Sequence, residues 1–177
     1  MIESYLRKFI HYLFMNERIE LIDINGDTAS TDSAKKLLLQ YGSYMFDELG
    51  LIAGKESFFK QLENFPGNIY LPPSGIFVIA KAGAAVMGCV GIKKFDDENC
   101  EMKRMFVSPE YRGKSIGSIL CNFVIEWCHN SPYKGILLDT NLEMKNALLL
   151  YHKCGFKEIQ PYCINENDHP VFMKYVL

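Results

Sequence analysis

Residues 112–117 read Arg-Gly-Lys-Ser-Ile-Gly. They stand where a strand-like apolar run, ending at Val107, gives way to an amphipathic helix pattern reaching about His129. Ser108 and Pro109 make the break. A short basic turn opening a helix points several backbone N–H groups, and the positive end of the helix dipole, at one spot that suits a phosphate. Lys103, Arg104, Arg112 and Lys114 cluster here, enough cationic charge for one small anion. Gly113-Lys114-Ser115 resembles the tail of a nucleotide-binding loop. The first glycine of that motif falls on Ser108, however, so the spacing excludes it. The dinucleotide pattern G-x-G-x-x-G does not fit either. The residues by themselves give an anion cradle without a named anion.

The strand before the cradle carries a second signal. Across residues 100–107, Cys100 and Met102 share one face, and Glu101 and Lys103 the other. The apolar face resumes at Met105 and Val107, three residues after Met102 instead of two. A period-two pattern that skips a step marks a β-bulge, whose unpaired backbone can take an extended ligand. The plainer alternative is an edge strand with imperfect alternation. After the cradle, Met144, Ala147, Leu148, Tyr151 and Cys154 share a helix face. There Tyr151 reads as a core aromatic whose hydroxyl needs a partner.

The elements that must position these residues can be read in order. Tyr5, Leu6, Phe9, Ile10, Leu13 and Phe14 fall at helical spacing and predict an N-terminal helix over 2–15. A first strand follows over 18–24, then a turn at 25–27. A helix over 33–49 is capped from residues 30–32 and stopped by Gly50. A second helix spans about 56–64. After Pro72-Pro73-Ser74-Gly75, strands over 76–81, 85–95 and 100–107 form an antiparallel run. Ile116, Ile119, Leu120, Phe123 and Trp127 form the buried face of the long helix. An almost wholly apolar strand over 135–140 and a helix over 144–154, closed by Gly155, come next. Strands over 156–159 and 171–176 finish the chain. The pattern is an α+β, or mixed α/β, sheet protein. It forms one domain over 1–177, with its core over 18–177 and residues 1–16 as an extra helix.

Bulk properties narrow the class. With 177 residues, 49% of them hydrophobic and 23% charged, the chain can bury one full core. A net charge of -2 gives no general pull toward nucleic acid or anionic lipid. No apolar run reaches membrane-spanning length. The six cysteines show no C-x-x-C and no regular spacing, so neither a disulfide framework nor a metal site is expected. A reducing, cytoplasmic compartment fits.

Residues 100–156 resemble the heart of the GNAT superfamily, the acyl-CoA-dependent N-acyltransferases. Its phosphate-binding signature, Gln/Arg-x-x-Gly-x-Gly/Ala, is matched by Arg112-Gly113-Lys114-Ser115-Ile116-Gly117. Its later Ala-x-x-Leu-Tyr-x-Lys-x-Gly-Phe pattern is matched by Ala147, Leu150, Tyr151, Lys153, Gly155 and Phe156. Strand order and helix placement fit over 18–177. The resemblance implies a central twisted, mixed but mostly antiparallel sheet of about seven strands flanked by helices. The chain departs from the pattern twice. Ser115 replaces the first glycine of the signature. Met144 stands where many members carry asparagine seven residues before the tyrosine, and Asn146 is near but out of phase.

The family's chemistry implies transfer of an acetyl group from acetyl-CoA, as cosubstrate, to a primary amine of a small molecule or peptide. Attack would be direct, in a ternary complex and without a metal. Backbone at Met105, Phe106 and Val107 would pair with the pantetheine arm. The amides of Gly113, Lys114, Ser115, Ile116, Gly117 and Ser118, with Arg112, would hold the pyrophosphate. Tyr151 matches the family position of the acid that protonates the leaving thiolate, and a phenol keeps its proton at pH 7. Glu101 matches the place where histone-acetylating members carry a base. Its alternatives are a solvated carboxylate or a salt-bridge partner of Lys103. The competing reading of the whole chain is a non-catalytic acyl-CoA sensor, or a partner-binding module on the same fold. Acceptor specificity points to residues 41–73 and 161–170. There Tyr41, Tyr44, Phe58, Phe59, Tyr70 and Tyr162 could wall a pocket, and Asp47 and Glu48 could attract a cationic amine. The extra N-terminal helix is a candidate dimer contact or sheet cover.

Overall fold

The computed structural model describes residues 13–14, 17–25 and 27–177. Leu13–Phe14 (β1) pairs antiparallel with Glu17–Arg18 (β2). The helix expected over 2–15 lies outside the described residues except at these first two, which are extended.

Seven further strands form one sheet. They are Glu20–Asp23 (β3), Gly75–Ala82 (β4), Ala85–Lys94 (β5), Asn99–Val107 (β6), Gly135–Asn141 (β7), Lys157–Ile159 (β8) and Pro170–Val176 (β9). Their order is β3-β4-β5-β6-β7-β9-β8, and each neighbouring pair is antiparallel except β6–β7. This is the mixed, mostly antiparallel sheet of seven strands that the family resemblance implies. Among the described residues four α-helices flank it: Thr28–Ser43 (α1), Lys55–Glu63 (α2), Ile116–His129 (α3) and Lys145–Lys153 (α4).

Helix α1 starts five residues earlier than expected. Its N-cap is Asp27, whose carboxylate accepts from the N–H groups of Ala29 at 3.2 Å and Ser30 at 3.1 Å. Aspartate serves turns and caps by the same local bonding, so a turn assignment hid the cap. The helix continues as a π-helical turn over Tyr44–Glu48.

Strand β4 shows why its sequence is apolar throughout. Phe77 and Ile79 face α1 and α2, packing with Leu37, Phe46 and Phe58. Ile76 and Val78 face the other way, toward Ile119, Leu120 and Phe123 of α3. Both faces are buried, so period-two alternation is lost.

Two irregularities of β6 shape the site. It pairs with β7 only through Asn99, Cys100 and Glu101, against Gly135, Ile136 and Leu137. Beyond that the two strands diverge and a wedge opens. On its other edge, Phe106 faces Cys89 and Lys103 faces Gly91, so Arg104 and Met105 together oppose Val90. Arg104 takes a left-handed backbone, φ 58°. This is the bulge that the skipped step between Met102 and Met105 predicts.

Candidate active site

The wedge opens into two cavities. One, of about 470 Å³, is lined by Met105, Phe106, Val107, Arg112 and the turn from Gly113 to Ser118, Lys114 excepted. The other, of about 520 Å³, lies against α1 and α2 and includes Tyr41, Phe58, Tyr70, Lys103, Arg104 and Asp139. Met105, Met144 and Tyr151 line both. The cradle, the bulge and the tyrosine therefore meet, though they stand far apart in the chain.

The cradle is built from backbone. Gly113 (φ 75°) and Ser115 (φ 64°) are left-handed. The first bond into α3 runs from the Ile119 N–H to the Ser115 carbonyl at 3.0 Å. The N–H groups of Ile116, Gly117 and Ser118 therefore precede any intrahelical acceptor, and such a run makes an anion-binding nest. A Cβ on Gly113 would meet nothing within 4 Å, so that glycine answers to its backbone angle. A Cβ on Gly117 would stand 3.0 Å from Leu150 Cδ2, so Gly117 answers to the close approach of α4. The cations behave differently from each other. Arg112 Nε donates to the Val107 carbonyl at 3.2 Å, and its guanidinium covers Tyr44 at 4.7 Å, forming cavity wall. Lys114 turns away, donating to the Glu110 carbonyl at 2.9 Å.

Tyr151 is 7% exposed, with its ring in the core beside Phe156. Its hydroxyl has no hydrogen-bond partner among the described residues. Burial, reinforced by Tyr41 and Cys121, holds its pKa well above the ordinary phenol value of 10. The phenol keeps its proton and lies at the junction of two cavities, while the ring packs in the core.

Below the cavity against α1 and α2 lies a charged floor. Glu101 is 3% exposed and lines neither cavity. Its Oε2 meets Lys93 Nζ at 2.8 Å, and its Oε1 meets Lys103 Nζ at 3.2 Å and accepts from Tyr162 at 2.9 Å. Lys103 also reaches Asp139 Oδ1 at 2.6 Å, and Asn165 donates to Asp139 Oδ2 at 2.9 Å. Burial works against the Lys103 ammonium, but Asp139 and Glu101 outweigh it and its pKa is raised. The salt-bridge alternative for Glu101 is thus the arrangement present. Direct contact with an acceptor is not offered, because both oxygens are occupied beneath the floor. Sequence reasoning missed Lys93, Asp139 and the role of Tyr162. Lys93 is paired with Glu101 by strand register, which only the folded sheet reveals. Asp139 did leave a signal, as the lone charge in a strand otherwise read as buried.

Of the expected aromatic walls, Tyr41, Phe58 and Tyr70 line the cavity against α1 and α2. Tyr44 belongs to the cradle side, Phe59 packs outside on Phe46 and Phe58, and Tyr162 lies under the floor. Asp47 and Glu48 line neither of these two cavities, and Asp47 is exposed and bonded to Ser43 and Lys55. The loop over 160–169 roofs the space. Asn167 Oδ1 accepts from the Ala53 N–H at 3.2 Å, and Asn141 donates to the Asp168 carbonyl. Asn146, out of phase with the family pattern, nonetheless lines the cradle-side cavity with Met144.

A family model described as "Acetyltransferase (GNAT) family" matches residues 41–156. An uncharacterized N-acetyltransferase of Schizosaccharomyces pombe is 32% identical over 145 residues, covering 81% of this chain and 86% of that protein. The crystal structure of a GNAT-family acetyltransferase from Staphylococcus aureus Mu50 superposes with a TM-score of 0.73 at 25% identity, covering 89% of this chain and 98% of the other. A GNAT-family acetyltransferase from Elizabethkingia anophelis, solved with acetyl-CoA bound, has the same fold. Its TM-score is 0.63 at 22% identity, covering 90% of this chain and 98% of its own.

Proposed function

The chain belongs to the acetyltransferase (GNAT) family, and from that premise we propose that it moves an acetyl group from acetyl-CoA to the primary amine of a small molecule. The observation that carries this reading is the shared wall. Met105, Met144 and Tyr151 face a cradle-side cavity and an acceptor-side cavity at once. Two ligands bound there meet at Tyr151, as direct transfer in a ternary complex requires.

Acetyl-CoA supplies the activated acyl group as a thioester. The chain's own residues do the rest. The nest over 113–118 suits the pyrophosphate, and the unpaired β6 edge suits an extended arm. Tyr151 gives its proton to the leaving sulfur. The amine must be neutral to attack. Glu101 sits beneath the floor, so in this reading cavity water takes the amine's proton and Glu101 positions Lys93 and Lys103. The roof tied to Ala53 supports a small acceptor over a long peptide. Six free cysteines support a reducing compartment.

The test is thiol release from acetyl-CoA with a panel of amines, with the acetylated product identified by mass. A pure acyl-CoA binder on this fold would give a thermal shift with acetyl-CoA and no thiol release from any amine.

A further inference from the structure

The acceptor-side cavity is lined by a cation, Arg104, that no carboxylate among the described residues neutralises. Lys93 and Lys103 are each matched by carboxylates, at 2.8 Å and at 2.6 and 3.2 Å. Arg104 is not. It is half-buried, its guanidinium lies 4.7 Å from the centre of the Phe58 ring, and Nη2 donates to the neutral Gln61 Oε1 at 2.9 Å. Among the described residues no carboxylate pairs with it, and its other N–H groups have no protein acceptor.

Its backbone sharpens the point. Arg104 sits at the bulge with φ 58°, a conformation that side chains other than Gly, Asn and Asp seldom adopt. Strain of this kind gathers at ligand sites. The ring beneath the guanidinium fixes its plane, and a fixed planar fork matches a carboxylate in two parallel bonds. The residue after it is Met105, part of the wall shared with the cradle-side cavity. Arg104 and Tyr151 line the same cavity, so an acceptor held by Arg104 shares its space with the tyrosine. Tyr41, Phe58 and Tyr70 supply apolar surface around it.

Resting on the acetyltransferase reading above, we propose that the acceptor is a small amine carrying a carboxylate and an apolar or aromatic body, of amino-acid type, and that Arg104 selects it by binding the carboxylate. The transfer balances: the neutral amine nitrogen bonds to the acetyl carbon, the carbon–sulfur bond breaks, the leaving sulfur gains a proton from Tyr151, and the proton lost by the nitrogen passes to cavity water, from which Tyr151 is reprotonated.

The experiment compares matched pairs at saturating acetyl-CoA: phenylalanine with phenethylamine, tryptophan with tryptamine, leucine with isopentylamine. The expected result is a kcat/KM at least about tenfold higher for the carboxylate-bearing partner, since a site built for a charged hydrogen bond rejects the analogue lacking it. Arg104→Gln should erase that preference by raising KM for the amino acid about tenfold or more, with kcat/KM for the bare amine within about twofold. Arg104→Asn, which tolerates the left-handed backbone, should do the same, and Arg104→Lys should keep part of the preference. Equal or better use of the bare amines by the wild-type protein overturns the carboxylate inference and leaves the acetyltransferase reading standing. Equal loss on both members of each pair in the Arg104 variants overturns the role of Arg104. Acetyl transfer to no amine of either kind overturns both readings.

Discussion

Tyr162 donates its phenolic proton to Glu101 at 2.9 Å, joining residues 61 positions apart and anchoring the start of the 160–169 loop beneath the charged floor. Glu101→Gln keeps an acceptor for Tyr162 but removes the charge facing Lys93 and Lys103. Breaking a fully buried ion pair costs about 3–5 kcal/mol. Both lysines are partly exposed, at 31% and 25%, so a loss of about 2 kcal/mol in urea unfolding is expected. The acid limb of the pH–rate profile should persist in this variant. Its disappearance would restore Glu101 as the base.

Tyr151→Phe separates the two uses of that residue. The ring stays, and the lost hydroxyl has no protein partner, so stability should change by less than about 1 kcal/mol. Turnover at saturating acetyl-CoA should fall about 100-fold or more, the contribution of a placed proton donor. The phenol's raised pKa keeps it protonated below its folded value. The wild-type rate should therefore show no alkaline fall assignable to Tyr151 up to about pH 10. Full turnover by the variant would remove Tyr151 from the chemistry.

Ser115 holds a left-handed conformation at the start of α3 and makes no side-chain cap bond. A residue with a Cβ is strained there by about 1 kcal/mol, and part of the gain from glycine is returned to the freer unfolded chain. Ser115→Gly should stabilise the fold by about 0.5–1 kcal/mol, a rise of about 2–3 °C in Tm. Affinity for acetyl-CoA should hold, because the nest is backbone. A large loss of affinity measured by calorimetry would show that the hydroxyl itself binds phosphate.

Arg112 is wall as well as charge, since it rests on Tyr44 and grips the Val107 carbonyl. Arg112→Ala should raise the acetyl-CoA Kd about tenfold, the worth of one charge-assisted contact. Arg112→Lys should recover only part of this, because a point charge does not stack as a planar guanidinium does. Lys114→Ala should matter less, as its ammonium points to Glu110. An unchanged Kd in Arg112→Ala would overturn the phosphate reading of the cradle.

Much of the fold was legible where the signal is local in the chain. The skipped step after Met102 became the bulge at Arg104 and Met105. The apolar period after the cradle became α3, within a residue or two of its bounds. The cradle and Tyr151 were legible because their spacing along the chain is itself the signal. The floor was not. Lys93 meets Glu101 because β5 and β6 pair in one register, and Asp139 meets Lys103 across the wedge. No local spacing encodes either contact. The same limit misplaced Asp47 and Glu48, whose helix face could not be told until the chain entered its π-helical turn.

The wedge between β6 and β7 also bears on solubility. Beyond Glu101, β6 runs to Val107 with no β7 partner, which makes it an edge strand inside the sheet. Unpaired edges template aggregation when they are long, flat and open to other chains. This one is interrupted by the left-handed Arg104, so a foreign strand finds no flat run to extend. The kink that brings an arginine to the cavity wall thereby also acts as a gatekeeper against misassembly.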